Sequence, residues 1–213
     1  MSRAKIMIVG CGPGSPEYLT PLARRTAESA EVLVGARRRL ELFPQSRAER
    51  IMVTGKIEEA LDRVAEHHEQ GRRIAVLVTG DPGLCSFAQP VLKRFGCDDC
   101  EVIPGVSSVQ VAFARLGLDW LDAMIISAHG REPEAEEASL LQAGKIAVLP
   151  GGEASWQWIV RTAQQLSASH RLYSCENLTL SDERVRQVEA ADLDAAQPAS
   201  LTIILFIRND LLG

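Results

Sequence analysis

The sequence predicts an α/β protein of two domains, the first built on a mainly parallel sheet and the second on a mixed one. Three observations carry that expectation. Short apolar segments alternate with amphipathic ones through the first half of the chain, the alternation breaks near Gly117-Leu118-Asp119, and four of the apolar segments run straight into glycine-rich loops. Regular alternation of strand and helix is the pattern of a parallel sheet with helices covering its faces. The domains are accordingly placed at 1–116 and 117–213, with a hinge near 115–120.

The elements follow in order. Ile6-Met7-Ile8-Val9 marks a strand over 4–10 that opens into Gly10-Cys11-Gly12-Pro13-Gly14-Ser15. Helix 20–29, strand 31–35, helix 37–43 and strand 50–54 come next. In helix 56–70, Ile57, Ala60, Leu61, Val64 and Ala65 form an apolar stripe of helical period, and Gly71 sits where a helix terminates. Strand 73–79, helix 84–95, strand 100–103 and helix 106–117 complete the first half, with Ser107 or Ser108 suited to cap the last helix. Spans 31–35 and 73–79 are short and apolar throughout, as strands buried on both faces are. Past the hinge, strands at 123–128, 145–150, 171–175, 184–188 and 201–207 are accompanied by helices at 134–143 and 153–167. No helix is expected between 184–188 and 201–207, so part of the second sheet should be antiparallel, and 189–199 reads as a loop or a short helical turn. There is no internal repeat and no low-complexity segment.

Composition narrows the function classes. The 213 residues are 46% hydrophobic, enough for a full core, and the formal net charge of −5 gives a nucleic-acid partner no electrostatic support. No apolar stretch is long enough to span a bilayer, and 4–10 reads as a strand rather than a signal peptide. Five cysteines, an odd number, suggest reduced thiols and a cytoplasmic location. Cys97-Asp98-Asp99-Cys100 has the spacing of half a zinc or redox site, but no second half is found, and His67-His68 on a polar helix do not supply one. No metal is expected.

The strand-end loops carry the chemistry. Gly10 and Gly12 fit a dinucleotide fingerprint, yet Ser15 replaces its third glycine, and Gly35 stands where an acid should close the next strand. No Gly-Lys-Ser/Thr follows, so a phosphate loop is excluded as well. Thr79-Gly80-Asp81-Pro82-Gly83, Pro104-Gly105-Val106-Ser107-Ser108 and Leu149-Pro150-Gly151-Gly152 have the same character. Any one of them is ordinary turn punctuation, and Asp81 reads equally as a turn-capping carboxylate. Four together point to a ligand approached closely by main chain.

These loops resemble those of the tetrapyrrole (corrin/porphyrin) methylases, over about residues 4–208. Ile126-Ser127-Ala128-His129-Gly130-Arg131 and Cys175-Glu176-Asn177-Leu178-Thr179-Leu180-Ser181-Asp182-Glu183 are similar to the branch that methylates carbon 5 of precorrin-7, or of its cobalt form, in cobalamin (vitamin B12) biosynthesis. The resemblance implies two α/β domains with S-adenosyl-L-methionine folded in the cleft between them, S-adenosyl-L-homocysteine as product, a trough for the tetrapyrrole (precorrin) substrate, and a homodimer. It assigns cofactor contacts to Pro13, Thr79, Gly80, Asp81, Leu84, Ser107, Ser108 and Leu178, and to Pro150, where relatives often carry methionine. Gly12, Gly14 and Ser15 would face the substrate. Arg38 and Arg131 are the arginines expected to bind its carboxylates, arginine being suited to bidentate contact. Methyl transfer is an in-line displacement that depends first on alignment and needs no covalent enzyme intermediate. His129 is the residue suited to accept a proton, or else to orient a substrate carboxylate. Two alternatives stay open: a relative with another acceptor (another precorrin carbon, or uroporphyrinogen), and a non-catalytic binding module. Fused relatives carry a C(15)-methyltransferase/decarboxylase after this region, so that activity is expected either on a separate partner polypeptide or beyond an excised domain.

Overall fold

The computed structural model describes residues 4–128, 132–194 and 201–212. The chain divides into two compact units, Met1–Ser107 and Ser108–Gly213.

In the first unit, strands and helices alternate as β1 (Ile6–Gly10), α1 (Pro21–Glu28), β2 (Val32–Gly35), α2 (Arg37–Leu40), β3 (Glu49–Met52), α3 (Ile57–Glu69), β4 (Ile74–Val78), α4 (Ala88–Phe95) and β5 (Cys100–Ile103). A 3-10 turn at Pro16–Tyr18 precedes α1. The sheet is parallel throughout, in the order β3-β2-β4-β1-β5. Side-chain alternation along the strands feeds two cores. Ile6, Ile8, Val32, Val34, Val76 and Val78 pack with Leu61 and Val64 of α3 and Val91 of α4 on one face. Val9, Leu33, Ala75 and Leu77 pack with Ala23 and Ala27 of α1 and Leu40 of α2 on the other. The period of two sends neighbouring residues to opposite faces, and both faces are covered, so these strands are apolar without interruption.

Local signals set the helix ends. Thr20 Oγ1 accepts from the Ala23 N–H at 3.1 Å, and Pro21 occupies the first turn of α1, where its missing N–H costs nothing. Gly71, at φ +72°, ends α3 by donating its N–H to the His68 carbonyl at 3.0 Å. Helix 84–95 begins later than its sequence suggests. Cys85 takes φ +46°, and α4 starts at Ala88, whose N–H is accepted by Ser86 Oγ at 3.1 Å.

The second unit opens with α5 (Ser108–Arg115), which packs against the last strand of the chain. Then come β6 (Met124–Ala128), α6 (Glu137–Gln142), β7 (Lys145–Pro150), α7 (Glu153–Leu166), β8 (His170–Glu176), β9 (Arg184–Val188), α8 (Ala190–Asp194) and β10 (Thr202–Arg208), with a 3-10 turn at Asn209–Leu211. The sheet order is β6-β7-β10-β8-β9. The β6–β7 pair is parallel, and the β7–β10, β10–β8 and β8–β9 pairs are antiparallel. The expected antiparallel portion is therefore present, but for a different reason. Strands β9 and β10 do not pair, because β8 lies between them, and the short helix α8 falls in the stretch read as a loop or a short helical turn. Strand β10 is central and buried from Thr202 to Ile207. The main core of this unit joins Ile146, Val148, Ile204 and Phe206 to Trp156, Ile159, Ala163 and Leu166 of α7.

Candidate functional site

Parallel pairing brings the carboxyl ends of β2, β4, β1 and β5 to one edge of the first sheet. Open parallel sheets bind ligands at this edge. The first glycine loop and the Thr79–Gly83 loop continue the pairing past their strands. Gly12 N–H donates to the Gly80 carbonyl at 3.2 Å, and Gly80 N–H returns a bond to the Gly12 carbonyl at 2.8 Å. Both glycines are left-handed, at φ +74° and +66°. A Cβ on Gly12 would stand 2.9 Å from the Tyr18 carbonyl oxygen.

Three loops are stacked backbone on backbone. A Cβ on Gly105 would lie 2.4 Å from the Gly80 oxygen and 2.7 Å from the Gly10 carbonyl carbon. A Cβ on Gly10 would lie 2.6 Å from the Gly105 nitrogen and 2.8 Å from Pro82. Asp81 ties the stack together: one carboxylate oxygen accepts from Gly83 N–H at 2.8 Å, the other from Gly105 N–H at 3.1 Å. The turn-capping reading of Asp81 is thus seen in the structure, and its carboxylate also spans two loops. The glycines at 10 and 105 are required by the contact of the loops with one another.

Arg39, from α2, reaches the first loop. Its Nη1 donates to the Gly12 carbonyl at 3.4 Å, and its Nε is buried without a hydrogen-bond partner among the described residues. Burial holds its pKa below the ordinary arginine value. The adjacent Cys11 thiol is pushed up to about 12, chiefly by burial, so it stays protonated and is no nucleophile. Arg38, singled out in the sequence, is exposed on the same helix, and Arg37 pairs with Glu41 at 2.9 Å.

The other residues singled out in this unit lie along the same edge. Pro13 and Gly80 are buried, Gly14, Ser15, Asp81 and Leu84 are partly buried, and Thr79 is exposed. Ser15 Oγ accepts from Glu17 N–H at 3.2 Å and caps the 3-10 turn. Ser107 is buried just before α5, whose first residue is Ser108.

The second unit has a comparable edge. Strands β6, β7 and β8 point the same way, so Ala128, Pro150 and Glu176 end together, Ala128 opposite Pro150. Pro150 is half-buried, and Leu178 is buried in the loop after β8. Leu178 is flanked by two left-handed residues, Asn177 at φ +49° and Thr179 at φ +71°. A β-branched residue there is strained and must be held by its surroundings. The holding group is Glu183, which accepts from Thr179 N–H and forms a bidentate pair with Arg115 of α5 at 2.6 and 3.2 Å. That guanidinium keeps the Glu183 carboxyl below the usual carboxylate range. His129 and Arg131 lie outside the described residues.

Sequence reasoning missed Arg39, Arg115 and Glu183. Three consecutive arginines give no sign of which is buried, and the Arg115–Glu183 pair spans 68 positions. The described histidines stand away from both edges: His67 and His68 lie on α3, and His170 begins β8 at the end opposite Glu176. Among the described residues, the loops of the first unit offer main-chain donors and acceptors and one buried cation. Such an arrangement grips and orients a ligand rather than attacking it.

Comparison with known proteins identifies the lineage of these loops. The profile of the Tetrapyrrole (Corrin/Porphyrin) Methylases matches residues 5–194. A probable cobalt-precorrin-7 C(5)-methyltransferase of Methanocaldococcus jannaschii is 30% identical over 94% of this chain and 97% of its own length. The crystal structure of a cobalamin biosynthesis precorrin-6Y methylase from Archaeoglobus fulgidus is 29% identical, with a TM-score of 0.71 over 96% of this chain and 98% of that one. A uroporphyrin-III C-methyltransferase of Thermus thermophilus, solved with S-adenyl homocysteine, shares the fold at a TM-score of 0.77 and 18% identity, over 96% of this chain and 92% of that one. Fold, strand-end loops and family profile agree, and the chain belongs to the tetrapyrrole (corrin/porphyrin) methylases.

Proposed function

We propose that this protein transfers a methyl group from S-adenosyl-L-methionine to carbon 5 of precorrin-7, or of its cobalt complex, in cobalamin biosynthesis. The observation that carries the reading is the stacked edge of the first unit, where the paired Gly12 and Gly80 main chains meet a buried guanidinium. Its support from relatives is the likeness to a probable C(5)-methyltransferase along 94% of the chain.

The residues present fit such a donor. Main-chain polar groups at strand ends suit the amino-acid part of a small zwitterion, and the orphaned Arg39 Nε suits an anion. When bound, the donor supplies an electrophilic methyl on a sulfonium. Pro13, Thr79, Gly80, Asp81, Leu84, Ser107, Ser108, Pro150 and Leu178 are the proposed donor contacts. Asp81 acts by fixing the loops through Gly83 and Gly105. Rigid loops keep the reacting atoms aligned, which is the main requirement of an in-line displacement. Gly12, Gly14, Ser15, Arg38 and Arg131 are proposed substrate contacts, and His129 the group that accepts a proton or orients a substrate carboxylate. The buried thiols do not compete as nucleophiles, since burial raises Cys11 and Cys175 to about 12 and Cys100 to about 11.

An acceptor panel tests the reading. With S-adenosyl-L-methionine, precorrin-7 or its cobalt form is expected to gain the mass of one methyl group. Uroporphyrinogen III and earlier precorrins are expected to gain none. Methylation of one of those acceptors instead would move the chain to another branch. Donor binding without turnover on any acceptor would make it a binding module.

A further inference from the structure

Arg39 is a buried cation whose charge no described residue compensates. The residue is 4% exposed. Among the described residues its one hydrogen bond, to the Gly12 carbonyl, is long at 3.4 Å, and Nε has no partner. No described carboxylate pairs with it; the charged or titratable groups acting on it are Cys11 and Arg38. Arg38 repels, and Cys11 is a neutral thiol, so neither is a counter-ion. A buried guanidinium without an anion is costly. The structure keeps it where the first glycine loop pairs with Gly80, at the ligand-binding edge of a parallel sheet.

We infer that Arg39 is a carboxylate-recognition residue: a ligand seated on the Gly12–Gly80 loops places a carboxylate against its guanidinium. The inference rests on the proposed methyltransferase reading and deepens it. Two sources carry that chemistry, the amino-acid end of the methyl donor and an acidic side chain of the macrocycle. A planar fork recognises either one bidentately. Its position also separates the three arginines: Arg37 is taken by Glu41, Arg38 is exposed, and Arg39 faces the loop.

The test is calorimetric titration of the full chain, unsubstituted and as Arg39→Met and Arg39→Lys. Three probes are used: S-adenosylhomocysteine, 5′-methylthioadenosine (which lacks the amino-acid end) and uroporphyrin as a polycarboxylate macrocycle. Arg39→Met is expected to weaken one carboxylate ligand about ten- to hundredfold while methylthioadenosine is unchanged. Weakening of S-adenosylhomocysteine assigns the donor's carboxylate. Weakening of uroporphyrin alone assigns the macrocycle's. Arg39→Lys, retaining the charge without the fork, should recover part of the loss, and it carries the test alone if the methionine variant does not fold. Unchanged affinity for all probes overturns the inference, and so does equal weakening of all three, which would make Arg39 a loop support. Both outcomes leave the methyltransferase reading standing. Failure of the unsubstituted protein to bind any probe would overturn that reading, and this inference with it.

Discussion

At Gly105 the smallest side chain meets the tightest packing at the candidate site. The Gly80 oxygen and the Gly10 carbonyl group surround the position where a Cβ would sit, the nearest atom at 2.4 Å. All of these are backbone atoms, so none can rotate away. Gly105→Ala is expected to destabilise the protein by about 1–3 kcal/mol, the usual cost of overpacking, and to weaken binding of S-adenosylhomocysteine. A denaturant midpoint and a titration check both effects, and an unchanged midpoint would contradict the stacked-loop geometry. The sequence made Gly10, Gly12 and Gly105 conspicuous, because glycine is the one residue that permits such contacts. What it left hidden was their cause. A glycine that admits a ligand and a glycine that admits a neighbouring loop are written identically, and only the Cβ distances separate them. Arg39 was hidden similarly: three adjacent arginines differ in burial because successive helical positions face different ways, which composition does not reveal.

Among the elements, those with strong local signals stand close to their sequence reading. Strands at 100–103, 145–150 and 184–188 agree to the residue, since each is bounded by turn residues or by a sharp change in hydropathy. Helix α4 starts late because Cys85 adopts a left-handed conformation that its residue type does not announce. The stretch holding helix α8 reads as either a loop or a short helical turn, because five residues carry too little periodicity to decide. A tertiary contact ties it to α7: Trp156 Nε1 donates to the Leu193 carbonyl at 2.9 Å inside the core. Trp156→Phe removes this donor to the buried Leu193 carbonyl. A loss of about 1–3 kcal/mol is expected, read as a lower chemical-denaturation midpoint. A shift under a few tenths of a kcal/mol would show that α8 does not depend on this bond.

Across the whole molecule, the alternation of the first half gave a parallel sheet, and the altered rhythm of the second gave a mixed one. Strand order in the second sheet was not legible. Strand β10 inserts between β7 and β8, far from it in sequence, and the choice is made by burial of a seven-residue apolar strand at the centre of the sheet. Among the described residues, no helix is long and apolar enough to cross a membrane. The parallel strands of the first sheet end at one edge, β6, β7 and β8 of the second end at another, and the residues singled out from the loops fall on those edges, except His129 and Arg131, which lie outside the described residues. The chemistry these edges allow is positioning, so the proposed activity is defined by where a methyl group is delivered. The most direct measurement is carbon-13 NMR of the product formed from precorrin-7, or its cobalt complex, with donor labelled at the methyl carbon. One new enriched methyl resonance, correlated to carbon 5 of the macrocycle, is expected. Label at any other carbon, or an unlabelled macrocycle after incubation with folded, donor-bound protein, would contradict it.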